Sequence, residues 1–160
     1  MGDRPAGRHH KLKAPAGVDS SEGALDRLSE AGRWLSEAEW DLGTARDLLK
    51  LGRYNAAAFY AQQAAEKAVK AMLYALGEVP RERSVRELLE RFASLSGQDV
   101  GSLMDSAREL DRHYIPSRYP NALPSGTPHE AYDGPTARRA IACAEEVLAF
   151  ARQFLRGLGL

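Results

Sequence analysis

Between Tyr54 and Gly77 the chain reads YNAAAFYAQQAAEKAVKAMLYALG, and steps of four and three from Ala57 meet Ala61, Ala64, Ala68, Met72 and Ala75. That spacing lines small residues along one side of a helix, so neighbouring backbones can approach closely. Val69 and Leu76 widen the stripe, while Gln63, Glu66, Lys67 and Lys70 share the far side with Phe59, Tyr60 and Tyr74. Taken alone, the stretch predicts a core helix with a solvated charged face. On that face Glu66 and Lys70 are correctly ordered for a surface ion pair worth about 0.2–0.5 kcal/mol.

The same periodicity places four further helices. From Ala24 to about Lys50, residues Leu25, Leu28, Trp34, Leu35, Ala38, Leu42, Ala45, Leu48 and Leu49 recur at helical spacing, interrupted by Gly32 and Gly43. Leu51-Gly52-Arg53 ends this first helix, and a short turn makes the central helix antiparallel to it. Gly77 closes the central helix and Pro80 blocks its continuation. Ser84 with Glu87 forms a capping-box pattern that opens a third helix through Leu88, Leu89, Phe92 and Leu95, stopped by Gly97. A fourth spans about Val100 to His113, and a last one runs from Pro135 to Arg156. No alternating run suggests a strand. The expectation is an all-α, up-and-down bundle of about five helices with a long loop between the last two.

Composition changes this picture little. At 160 residues, with 44% apolar and 28% charged residues, the chain suits one domain with one core. Residues 1–23 offer almost no large apolar side chain and read as a tail, leaving 24–160 as the domain. The formal net charge is zero, so contact with nucleic acid must come from a local patch. A single cysteine, Cys143, excludes an internal disulfide and a cysteine-rich zinc site, and its helical surroundings suit a buried small residue rather than a nucleophile. His9 and His10 are adjacent and make a poor metal site, so no metal and no cofactor is expected. No apolar run approaches the ~20 residues that span a bilayer, which favours the cytoplasm.

The candidate chemistry lies between the last two helices. There the sequence is Tyr114-Ile115-Pro116-Ser117-Arg118-Tyr119-Pro120-Asn121, followed by ALPSGTPHEAYDG. An irregular connection of this length usually has a task or is disordered, and Tyr114, Tyr119 and Tyr132 argue for rings that pin it to the bundle. Arg118 stands between two prolines, where a fixed guanidinium would suit a phosphate. A structural arginine bonded to loop carbonyls or to Glu66 fits the same residues.

The run AAFYAQQAAEKAVKAML, the loop YIPSRYPNALPSG, the later Tyr132 and the alanine-rich last helix together resemble the prokaryotic HEPN domain, also found at the end of human sacsin. The resemblance covers about residues 30–156. It implies a helical bundle that pairs into a homodimer, here through the first or fourth helix. It also implies nucleotide binding or metal-independent RNA cleavage, often beside a nucleotidyltransferase of the MNT type as a toxin and antitoxin pair. Ligand contacts would then fall to Arg118, Tyr119 and Tyr114 with Lys67, Lys70, Glu66 and Gln63, a tyrosine stacking on a base. The cutting members carry an arginine followed after four to six residues by histidine. No histidine follows Arg118 in that window, and His129 comes too late, but Arg108 and His113 satisfy it, with Glu109 next to the arginine. In that reading His113 takes a proton from a ribose 2′-hydroxyl while Arg108 or Arg118 stabilises the phosphorane. The same pair also suits a surface or dimer interface. A third reading is a protein-interaction module that binds no nucleotide.

Overall fold

The computed structural model describes residues 21–160, which carry six α-helices and no strand. These are α1 (Ser21–Lys50), α2 (Tyr54–Ala75), α3 (Val85–Ser96), α4 (Met104–Asp111), α5 (Pro128–Ala131) and α6 (Gly134–Gly157). Five are the predicted helices, and α5 is one turn inside the long loop. The first helix begins before Ala24, so residues 21–23 belong to it and not to a tail. The rest of the predicted tail, with Arg8, His9, His10, Lys11 and Lys13, lies outside the described residues.

Local chemistry sets the helix ends. Gly52 adopts φ 76° after α1, and Arg53 N–H reaches back to the Leu48 carbonyl at 2.9 Å. Ser84 accepts from Glu87 N–H at 3.1 Å as the capping pattern predicted. The remaining donors at the start of α3 go to Asp111, at 2.7 Å from Val85 N–H and 3.3 Å from Arg86 N–H, while the Ser84 hydroxyl donates to the same carboxylate at 2.7 Å. Asp111 thus ties the end of α4 to the start of α3. The stretch predicted as one helix from Val100 opens with a 3-10 turn, Gly101–Leu103, before α4.

The alanine stripe of α2 is buried, and α1 and α6 pack along it. Helices α1 and α6 run antiparallel, since Arg46 meets Glu145 near one end and Glu39 meets Arg152 further along. Chain return from α2 to α3 is made by extended residues 78–84 lying along α2. Gln62 donates to the Arg83 carbonyl at 3.3 Å, and Arg91 holds both Glu78 and Glu82. Consequently α3 runs in the same direction as α2.

Two expectations change here. The charged face of α2 is not solvated: Glu66 and Lys70 are only 3% and 6% exposed, and Gln62 is fully buried. Covered by α1 and the extended leg, they form a buried network instead of a surface pair. Leu25, expected on the apolar side of α1, is exposed.

Candidate functional site

The loop after α4 is ordered by stacking on α2. Phe59, one turn into α2, lies beneath Arg118, whose guanidinium carbon sits 4.5 Å from the Phe59 ring centre, 4.6 Å from Tyr114 and 4.8 Å from Tyr119. Arg118 Nε donates to the Tyr114 carbonyl at 2.8 Å, and Nη1 reaches the Tyr119 hydroxyl at 3.4 Å. Among the described residues Nη2 has no hydrogen-bond partner. No bond or ion pair joins Arg118 to Glu66. Below the cage, Asn55 Nδ2 donates to the Ser117 carbonyl at 3.0 Å, and the Ser117 hydroxyl donates to the His113 carbonyl. The rings therefore pin the loop as the sequence suggested, although Tyr119 leaves 48% of its surface open.

His113 closes α4 from inside and is 5% exposed. Its Nδ1 stands 2.7 Å from the Tyr132 hydroxyl and its Nε2 2.9 Å from Glu109. Burial, reinforced by Glu109, pushes the Tyr132 phenol up to about 12, so it stays protonated and donates to Nδ1; Nε2–H then donates to Glu109. Burial also holds the imidazole below its ordinary range, against the opposing pull of Glu109. Glu109 itself is drawn below the usual carboxylate range, because the His113 bond and the charges of Arg139 and Arg112 outweigh its own burial. Arg108 points elsewhere, exposed and paired with Asp105 at 3.0 Å. The structure does not bring Arg108 and His113 onto one face, as five steps of roughly 100° along a helix require.

The α2 candidates form a separate group. Lys67 pairs with Asp41 at 2.6 Å and Lys70 with Glu66 at 2.9 Å, while Gln62 and Gln63 both donate to Glu66. Lys70 also lies over Trp34, which stacks on Tyr74. Lys67 and Lys70 stand eight and eleven residues beyond Phe59, about 12 and 16 Å along the helix axis. Gln63, Glu66, Lys67 and Lys70 are thus engaged with one another and with Asp41, away from Arg118. Cys143 is half-buried and burial raises its thiol, in keeping with a packing role. Sequence reasoning missed Phe59 as the plate under Arg118, and the Glu109 and Tyr132 partners of His113. The signal for Phe59 was an aromatic ring on the polar side of an amphipathic helix.

The sequence matches the family model of the HEPN domain over residues 31–154. The chain belongs to the HEPN family. Among curated proteins it is 28% identical over 131 residues to "Putative toxin MJ1304" of Methanocaldococcus jannaschii, covering 77% of this chain and 86% of that one. Two crystal structures share the fold. TT1696 of Thermus thermophilus has TM-score 0.74 and 37% identity, over 78% of this chain and 97% of its own. ST0689, an archaeal HEPN homologue, has TM-score 0.67 and 34% identity, over 79% and 98%. Among the described residues of this HEPN chain no helix is long and apolar enough to cross a membrane.

Proposed function

We propose that this HEPN protein binds the phosphate of a nucleotide or RNA through Arg118, with Tyr119 stacking on the base. The observation that carries the reading is the free edge of Arg118. Three rings and one carbonyl fix the plane of the guanidinium, so little side-chain freedom is lost on binding, and the two donors of Nη2 have no hydrogen-bond partner among the described residues. Tyr119 gives one face to the arginine and keeps the rest of its exposed surface for a base, a contact worth about 1–3 kcal/mol. Lys67 and Lys70 drop out of the phosphate site because each already serves a carboxylate.

Binding is favoured over cleavage by His113, whose two ring nitrogens are both occupied and whose surface is closed. Metal-independent cleavage by Arg108 and His113 would need the Tyr132 or Glu109 bond to break first. The proposal includes a homodimer and a partner nucleotidyltransferase of the MNT type, as the family implies, and the toxin name of the Methanocaldococcus relative supports a toxin and antitoxin setting.

Arg118→Lys tests the site. It keeps the charge but loses the planar fork, so calorimetric titration with AMP and with short RNA is expected to show weakening by about 1–2 kcal/mol. Unchanged affinity in a protein that still melts cooperatively would remove Arg118 from the site.

A further inference from the structure

The starts of α3 and α6 each spend a polar side chain on their own backbone, Ser84 accepting from Glu87 N–H and Asp133 from Thr136 N–H. Helix α2 does not. Its start has no side-chain cap, and Asn55, its second residue and a poor helix former, sends its amide 62 residues along the chain to the Ser117 carbonyl at 3.0 Å. Asn55 thus serves the loop and not its own helix.

Ser117 precedes Arg118 directly and is 1% exposed. Its hydroxyl donates to the His113 carbonyl, and Arg118 N–H donates to the Ile115 carbonyl at 3.0 Å, so both of these bonds stay within the stretch 113–118. Two of the three rings around the guanidinium, Tyr114 and Tyr119, belong to the same stretch of chain, as does the carbonyl that accepts from Nε. Such contacts shape the cage without fixing it on the bundle. That task falls to α2, where Phe59 meets both Arg118 and Tyr114, and Asn55 stands four residues before it on the same side of the helix. Among the described residues the Asn55 bond is the single hydrogen bond from residues 113–119 to α2. A ring face attracts a cation over a broad area, whereas an amide donor fixes one carbonyl in distance and direction. Without that bond the turn can slide on Phe59, and the freedom removed from Arg118 returns to be lost on binding. We infer that Asn55 is a positioning residue for Arg118, holding the Ser117 carbonyl so that the guanidinium stays seated on Phe59. The inference rests on Arg118 as a phosphate ligand and adds the residue that keeps it in place.

The test uses the full chain, calorimetric titration with AMP, and proton–nitrogen correlation spectra in which the Arg118 Nε–H resonance is the one that Arg118→Lys removes. Asn55→Ala puts a better helix former in the first turn and is expected to melt cooperatively. It should move the Arg118 resonance towards those of the exposed arginines, as the ring currents of Phe59 are lost, and weaken AMP binding about fivefold. In the Arg118→Lys background the same change should cost nothing further, because Asn55 acts through Arg118. Asn55→Leu, which keeps the bulk without the donor, is held to the same outcomes should Asn55→Ala fail to fold. An unmoved resonance or wild-type AMP affinity overturns the role, even with a lowered melting temperature, since Asn55 is then structural only. A further loss of about fivefold on top of Arg118→Lys also overturns it, because Asn55 would then touch the ligand itself. If Arg118→Lys binds AMP as the wild type does, the Arg118 reading fails, whatever the resonance shows. If Arg118→Lys weakens binding while Asn55→Ala does not, only the positioning role fails.

Discussion

At His113 the two ring nitrogens are committed to Tyr132 and Glu109, so protonating the ring makes the Tyr132 hydroxyl turn from donor to acceptor and places a charge where burial disfavours it. The folded value lies below the ordinary 6.5, chiefly through burial, and the unfolded chain therefore takes up a proton that the folded chain resists. Stability from this group is complete above about pH 6.5 and is lost as pH falls towards the folded value. Glu109, likewise depressed, adds a second loss at lower pH. The melting temperature is expected to fall between about pH 7.5 and pH 5, and His113→Gln to flatten that fall. An identical pH slope in the variant would contradict the assignment. Arg118 was legible in the sequence because flanking prolines and tyrosines make a loop arginine conspicuous. The partners of His113 were not: Glu109 is one turn away, but Tyr132 arrives across an irregular loop whose path no periodicity encodes.

Helix α2 shows the limit of a helical wheel. The wheel separated the alanine stripe from the charged residues correctly, and the stripe is buried. It could not count neighbours, and the cover over Glu66 comes partly from Arg83, in an extended leg that carries no hydrophobic period. The consequence is energetic. A surface pair contributes a few tenths of a kcal/mol, whereas removing one partner of a buried pair strands the other charge at a cost of about 3 kcal/mol. Lys70→Met is therefore expected to destabilise the fold by about 3 kcal/mol in urea unfolding, and Glu66→Gln/Lys70→Met to recover at least half of that. A loss below about 0.5 kcal/mol for Lys70→Met would mean that Glu66 is solvated after all.

For the whole molecule, the outer face of α1 matters most. Trp40 is 73% exposed, with Ser36, Gly43 and Thr44 one turn away on either side, and a Cβ on Gly43 would meet nothing within 4 Å. A large ring among small residues allows a second helix to approach closely, which suits the proposed homodimer. Sedimentation at tens of micromolar is expected to give a dimer burying more than about 1,000 Å² in total, and Trp40→Arg to give a monomer with the same melting temperature. A wild-type monomer would remove the pairing. The extended leg of residues 78–84 has a consequence for the opposite question, what approaches the loop end. In a bundle of strictly alternating helices every helix start sits beside a helix finish, and the backbone partial charges cancel. Because this leg takes the place of a helix, α2, α3 and α6 start towards the loop end while only α1 and α4 finish there. With about half an elementary charge at each terminus, the backbone leaves that end positive by about half a charge. Asp111 and Asp133 already hold a carboxylate at the starts of α3 and α6, so the backbone favours an arriving anion at the uncapped start of α2, which Asn55 ties to the Arg118 loop.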